Sequence, residues 1–163
     1  MSAERKRNIK ARLSRSRARL LAAVEGLGQA EWAAVVYSEG ETWMASDLLR
    51  HLADAERGMI RLVEVIRDGG EGVPADFDLN RWNASAVRRA QERTPVELLA
   101  QMEANRGRLL SLIDGLADED WEKRGRHGSL RIMSVAEILA LIALHERRHS
   151  LDLQRAVRAP AEE

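Results

Sequence analysis

Two of the chain's four histidines lie four residues apart, a spacing that gives them the same face of a helix. They are His145 and His149, in the segment Leu144–His149. A third histidine, His51, lies on the apolar stripe of an earlier segment, three residues after Leu48. Several imidazoles facing a core are hard to satisfy by packing alone, whereas neutral imidazoles are common ligands of divalent metals. The sequence therefore predicts a metal site formed by His51, His145 and His149.

The same stretch also matches H-E-x-x-H, the pattern of zinc metalloproteases, in which the Glu serves as the base. Such proteases take their third ligand downstream of the motif, but only 14 residues follow His149 and none of them is histidine. No strand is predicted that could align a peptide substrate. The sequence therefore disfavours a protease.

Three carboxylates lie close to the predicted ligands in sequence. Asp152, three residues after His149, is the stronger candidate for orienting a ligating imidazole from outside the set of metal ligands. Glu146 and Asp54 are the other candidates for that role or for a base that activates water. For Glu146 the alternative is a position facing solvent, or a pair with Arg50 or Arg147.

The remaining polar and aromatic candidates have weaker patterns. His127 lies in a predicted polar loop, where an exposed histidine needs no functional role. Trp82 and Asn83 are the residues expected to line a pocket, while tryptophans in general are expected to anchor the core. The other tryptophans are Trp32, Trp43 and Trp121.

Four segments with helical periodicity must position these residues, and no convincing alternating strand is present. The predicted helices cover about 4–25, 45–67, 94–116 and 134–155, and Ala156–Glu163 is expected to be a tail. Thr94 and Ser134 each precede a Glu by three residues, which predicts two capping boxes. Before the second helix the position of a cap is held by Met44, so Ser46 is a possible substitute. The fold class is therefore all-α, with a long, partly helical crossover between helices 2 and 3 that does not require those two helices to be antiparallel neighbours.

Composition sets the outer limits. The 163 residues are most simply one domain, and 26 basic against 26 acidic residues predict no nucleic-acid partner. The chain has no cysteine, which excludes thiolate ligands and fits a cytoplasmic location. No apolar run is long enough to span a membrane. The first helix is rich in Arg and Lys, and we interpret these side chains as a solvated face rather than a nucleic-acid or membrane patch.

Several stretches together resemble the DinB-like superfamily of four-helix bundles, also called YfiT-like. This family includes bacillithiol and mycothiol S-transferases. The resemblance covers about residues 30 to 155, and the matching stretches are Leu48–Glu56, Asp76–Asn83, Ser134–Leu139 and His145–His149. In that family one histidine of the second helix and an H-x-x-x-H pair of the fourth bind a divalent metal, commonly zinc or nickel. The resemblance therefore implies the same three ligands, His51, His145 and His149.

An open three-histidine site and this resemblance lead to two hypotheses. The first is a metal-dependent enzyme with a small-molecule substrate, such as a thiol S-transferase in which the metal activates a low-molecular-weight thiol as co-substrate. The alternative is a non-enzymatic, metal-stabilised bundle that serves as a binding or interaction module in stress responses. The resemblance also implies a homodimer.

Overall fold

The computed structural model describes residues 2–38 and 42–158. Helices account for 71% of the structure. Four long helices form the body of the structure: α1 (Ser2–Val24), α3 (Ala45–Arg67), α5 (Pro95–Gly115) and α6 (Val135–Arg158). Two short helices, α2 (Gln29–Trp32) and α4 (Leu79–Arg89), lie in the connections. The predicted all-α four-helix bundle is confirmed, and the second predicted helix has the bounds of α3.

The order in which side chains pair across the helices gives the direction of each helix. Asn105 contacts Ala53 and Arg108 contacts Glu64, so α3 and α5 run parallel. The helix α6 packs against both α1 and α3, and α5 contacts α3 and α1. Since parallel neighbours need a connection that returns along the bundle, the long crossover containing α4 is a geometric necessity. The crossover was predicted, and it joins two helices that do pack against each other, in parallel.

The core consists of two apolar clusters stacked along the bundle axis. One contains Leu13, Val63 and Ile113 with their neighbours, and the other contains Leu20, Leu48 and Leu98 with theirs. Each long helix contributes to both clusters, because its apolar residues recur every three or four positions. The layer between the two clusters is not apolar, and it is described with the site below.

The helix starts follow local capping. Thr94 Oγ1 accepts a hydrogen bond from Glu97 N–H, and the Glu97 carboxylate accepts one from Thr94 N–H. Ser134 and Glu137 make the same reciprocal pair at the start of α6, so both predicted capping boxes are confirmed. At α3 the suggestion of a Ser46 cap is wrong, because Ser46 lies inside the helix and the N-cap residue is Met44, without a side-chain cap. The Asp47 carboxylate accepts a hydrogen bond from Met44 N–H at 3.0 Å.

Two antiparallel hairpins correct the prediction that the chain has no strands. The first hairpin pairs β1 (Val35–Tyr37) with β2 (Trp43–Met44), and the second pairs β3 (Arg124–Arg126) with β4 (Ile132–Ser134). Each hairpin leads directly into a long helix, the first into α3 and the second into α6. Strands of two or three residues are too short to produce a recognisable alternation in the sequence.

Three smaller expectations also changed. The segment predicted as a polar loop contains a 3-10 turn at Glu119–Glu122 that buries Trp121. Trp82, expected to touch the core, is 43% exposed. The helix α6 continues to Arg158, and the rest of the predicted tail lies outside the described residues. Within the residues described, none of the helices has the length and apolarity needed to cross a bilayer.

Candidate metal centre and its supporting residues

The three predicted ligands converge at one end of the bundle. His51 lies in the second turn of α3, and His145 and His149 occupy successive turns of α6. The Nε2 atom of His145 lies 3.1 Å from Nε2 of His51 and 3.1 Å from Nε2 of His149. One nitrogen from each ring lies within 4.8 Å of the other two. The structure therefore brings together the residues that the sequence singles out.

The donor set fits a divalent cation. Two imidazole nitrogens bound to one zinc at about 2.0–2.1 Å are roughly 2.9–3.4 Å apart for angles between 90° and tetrahedral. Both Nε2–Nε2 separations, 3.1 Å each, fall within that range. In addition, a single Nε2 offers either one N–H or one lone pair, so His145 cannot hydrogen-bond to both neighbours at once. A cation that accepts a lone pair from each ring removes this conflict.

Burial keeps the three imidazoles neutral, which is the state that can ligate a metal. Desolvation, reinforced by the neighbouring His149, lowers the pKa of His51 to about 4. Desolvation and the other two imidazoles lower the pKa of His145 to about 2. The pKa of His149 is also lowered by burial, against the opposing effect of Asp152. The rings are therefore available as neutral ligands at physiological pH.

A tyrosine connects His149 to Asp152. The hydroxyl of Tyr37, on β1, lies 2.8 Å from His149 Nδ1 and 2.6 Å from Asp152 Oδ2. The Asp152 carboxylate only accepts hydrogen bonds, so Tyr37 donates its single proton to Asp152. The hydroxyl oxygen is then the acceptor for Nδ1–H of His149, which leaves Nε2 of that ring with a free lone pair. Burial and the hydrogen bond to Asp152 raise the pKa of Tyr37, so its hydroxyl remains protonated.

Asp152, the candidate for orienting an imidazole, therefore reaches His149 only through Tyr37. Its Oδ2 lies 3.9 Å from His149 Nδ1, beyond direct hydrogen-bond distance, and it acts through Tyr37. Tyr37 could not be placed at the site from the sequence, because a residue in a short hairpin carries no periodic signal. The same is true of Trp43 on β2, whose ring lies 5.0 Å from that of His51. The first hairpin thus supplies two aromatic side chains beside the histidines.

Behind the histidines, four charged side chains form a closed ring across the bundle. We call these residues the charged quartet: Arg17 of α1, Glu56 of α3, Arg106 of α5 and Glu146 of α6. Each is only 4–7% exposed. Each guanidinium bridges both carboxylates at 2.8–3.0 Å, which gives four ion pairs with no net charge. The quartet is the polar layer between the two apolar clusters.

The remaining hydrogen bonds of the quartet are satisfied locally. Arg17 donates to the carbonyl of Met102 at 3.0 Å, and Arg106 donates to the carbonyl of Leu13 at 2.6 Å. Ser16 donates its hydroxyl proton to the Glu146 carboxylate. A buried ion-pair network is tolerated when its polar atoms are paired in this way.

The quartet overturns two expectations. Glu146 neither faces solvent nor pairs with Arg50 or Arg147, and Arg17 is not part of the solvated face of α1. A carboxylate held by two arginines is a poor base, so the metalloprotease interpretation loses its key residue.

A signal for the quartet does exist in the sequence: Arg17, Glu56 and Arg106 each follow an apolar residue by four positions and precede another by three. These apolar pairs are Leu13 and Leu20, Leu52 and Met59, and Met102 and Leu109.

The other candidates lie away from the histidines or have ordinary partners. Asp54 pairs with Arg57 at 2.5 Å and opposes the lowering of the pKa of His51. His127 hydrogen-bonds through Nδ1 to Ser129 at 3.0 Å, and its proximity contributes to the low pKa of His145. Trp82 packs 5.7 Å from Phe77, centroid to centroid, rather than against the histidines. The described contacts give Asn83 no place at the site.

Comparison with known proteins places this arrangement in a family. The family model described as the DinB superfamily matches residues 12–153. A curated relative from Oceanobacillus iheyensis, named as a candidate metal-dependent hydrolase, is 30% identical over 122 residues. That alignment covers 74% of this chain and 68% of the relative.

Solved structures share the fold at lower identity. YfiT from Bacillus subtilis, described as a candidate metal-dependent hydrolase with an unusual four-helix bundle topology, has a TM-score of 0.79 at 22% identity, over 97% of this chain and 89% of YfiT. Mycothiol-dependent maleylpyruvate isomerase gives 0.74 at 16% identity, over 91% of this chain and 60% of the isomerase. The colibactin self-resistance protein ClbS, solved in complex with a double-stranded DNA, gives 0.70 at 18%, over 96% and 97% of the two chains.

Proposed function

Since the chain belongs to the DinB superfamily and brings three neutral histidines together, we propose that it is a metal-dependent enzyme acting on a small molecule, specifically a thiol S-transferase. The convergence of the Nε2 atoms of His51, His145 and His149 is the observation that carries this proposal. Three protein ligands are the usual number at catalytic zinc sites, which keep a position for substrate, whereas structural sites use four. Zinc or nickel is the expected metal, since imidazoles suit both.

A divalent ion held by these residues would supply Lewis acidity, which lowers the pKa of a coordinated thiol. His51, His145 and His149 would hold the ion, and Tyr37 with Asp152 would fix the ring of His149 in the tautomer that presents Nε2. Trp43 would shield the His51 side of the site from water. In the reaction, the thiol proton passes to solvent, the sulfur forms a bond to an electrophilic carbon, and the leaving group departs with its bonding pair.

One feature favours a thiol over water as the nucleophile. Since the chain has no cysteine, such a thiol would come from a low-molecular-weight co-substrate. Among the described residues, the carboxylates nearest to the histidines in sequence are already paired: Glu146 within the quartet, Asp54 with Arg57, and Asp152 with Tyr37. A water nucleophile usually depends on a carboxylate base at such a site, whereas a thiol is acidic enough to lose its proton without one.

Hydrolysis is the second candidate, because the curated relative and YfiT are both named for it. It would use the same three histidines and the same ion. The two candidates differ in the co-substrate, since only transfer requires a thiol and yields a thioether.

The test begins with metal content, measured by mass spectrometry on untagged wild type and on His51→Ala. His127→Ala is the matched control, because it removes the one histidine that lies outside the cluster. We expect about one zinc or nickel per chain in the wild type and in His127→Ala, and a large loss in His51→Ala. Equal metal content in all three proteins would refute a site at His51.

The metal-loaded protein is then incubated with an electrophile and each of several cellular thiols, and product is followed by mass spectrometry. Thiol-dependent formation of a thioether supports the transferase. Thiol-independent cleavage of ester or amide substrates supports the hydrolase. Bound metal with neither activity supports the non-enzymatic, metal-stabilised bundle.

A further inference from the structure

A groove between α1 and α6, separate from the histidines, contains an unusual concentration of positive charge. Its volume is about 240 Å³, and its charged lining consists of four arginines: Arg12, Arg15 and Arg19 of α1, and Arg147 of α6. All four are exposed, and no carboxylate lines the groove. Over residues 2–38 and 42–158, none of the four guanidiniums makes an ion pair or a hydrogen bond.

Several other basic residues of α1 do have acidic partners, so unpaired charge is not a general property of the helix. Arg5 pairs with Glu122, Lys10 pairs with Asp114, and Arg17 is neutralised within the charged quartet. Of the four arginines of α1 that have no ion pair among the described residues, Arg12, Arg15 and Arg19 lie on the face that borders α6, and only Arg7 lies elsewhere. Arg15 and Arg19 are four residues apart, and like charges at this spacing destabilise a helix by a few tenths of a kcal/mol. Helix stability gives no reason for this cluster.

We propose that this groove binds the phosphodiester backbone of a nucleic acid. Guanidinium groups match phosphate oxygens in a bidentate geometry, and arginine is the preferred residue for such contacts. From Arg12 to Arg19 the helix rises about 10 Å, which equals the axial length of roughly three phosphates on one strand of a duplex.

The chemistry of the surface favours a polyanion over a membrane. The four arginines are exposed on two neighbouring helices, so their guanidiniums can reach separate phosphates. The lining contains one exposed large apolar residue, Leu144, which is too little for insertion between lipids. Contacts of this kind read the backbone and not the bases, so binding is independent of sequence. The equal totals of acidic and basic residues, which predict no nucleic-acid partner, conceal this local excess.

The test measures binding of a fluorescent 20-base-pair DNA duplex by anisotropy between 50 and 200 mM salt. Four phosphate contacts predict a slope of log K against log salt of about −3.6, or roughly 100-fold weaker binding at the higher salt. Replacing two arginines in Arg15→Gln/Arg19→Gln should reduce the slope to about half and weaken binding at least tenfold at 50 mM. The control Arg61→Gln/Arg81→Gln removes the same charge from exposed positions outside the groove and should match the wild type.

A duplex RNA and vesicles containing anionic lipid are run in parallel. Binding of either nucleic acid with the expected slope, lost in the α1 variant and kept in the control, supports the proposal. Absence of binding at 50 mM salt, equal binding by both variants, or binding to vesicles but to neither nucleic acid would overturn it. Metal content is measured on the same samples and should be unchanged, so the outcome is independent of the proposed enzymatic function.

Discussion

Removing one hydroxyl group tests whether the first hairpin orients a metal ligand. In Tyr37→Phe the aromatic ring is retained, but Nδ1–H of His149 loses its acceptor at 2.8 Å. Asp152 cannot replace the hydroxyl without movement, because its Oδ2 lies 3.9 Å from that nitrogen. Loss of such an outer partner of a ligating histidine typically weakens metal binding by about 10–100-fold. We therefore expect Tyr37→Phe to lower zinc affinity by roughly 1.4–2.7 kcal/mol.

The assay is a competition titration of zinc against a chromophoric chelator at pH 7.5, and the matched control is Trp43→Phe. Trp43 also contacts a ligand ring, but it makes no hydrogen bond to it, so the control should retain wild-type affinity within a factor of about 3, or roughly 0.65 kcal/mol. Nitrogen NMR of the metal-free protein should show His149 protonated at Nδ1 in the wild type, and less completely so in Tyr37→Phe. Wild-type zinc affinity in Tyr37→Phe, or an equal loss in Trp43→Phe, would refute the positioning role of the hydroxyl.

Three further predictions concern stability. The pKa of His51 in the folded protein is about 4, below its ordinary value of 6.5, so the unfolded chain binds a proton at this histidine at a higher pH than the folded protein does. The contribution of His51 to the free energy of unfolding is therefore full above pH 6.5. It is lost as pH falls through 4, by about 3 kcal/mol for this group. Urea denaturation of the metal-free protein at a series of pH values should show that loss of unfolding free energy. The unfolding free energy of His51→Ala should depend less steeply on pH, and equal dependence in the two proteins would contradict the prediction. Glu146→Gln leaves the arginines of the quartet undercompensated and should cost about 3–5 kcal/mol in urea denaturation, whereas Glu64→Gln, in an exposed pair, should cost about 1 kcal/mol or less. Thr94→Ala removes the cap of α5 and should lower the unfolding free energy by about 1 kcal/mol, and an unchanged melting temperature would count against that cap.

The histidine cluster could be predicted because two of its three members lie close together in the sequence. The spacing of His145 and His149 fixes their common face from the sequence alone, and His51 joins them because it lies on the buried stripe of its own helix. The bounds of α3 and both capping boxes were equally local and were predicted correctly. The ligand assignment itself remains a prediction until metal content is measured.

The residues that support the cluster depend on contacts across the fold and were missed for that reason. Tyr37 reaches His149 across 112 positions, and Arg17 reaches Glu146 across 129. A pattern within one helix marks Arg17 as unusual, but the partner that makes its burial tolerable lies on another helix. The two hairpins could not be predicted either, since strands of two or three residues carry almost no information about which strand pairs with which.

The position of Glu146 beside His145 has a consequence for how the protein can change. Because the quartet joins all four long helices, a shift of α6 that moved His145 and His149 would also break ion pairs with α1 and α5. The register of the ligand-bearing helix is thus set by residues other than the three histidines. Substitutions at the histidines, or in the first hairpin around them, can therefore alter which ligand is held while the frame that positions it stays in place. A protein built in this way can acquire new chemistry at one end of the bundle without having to find a new fold.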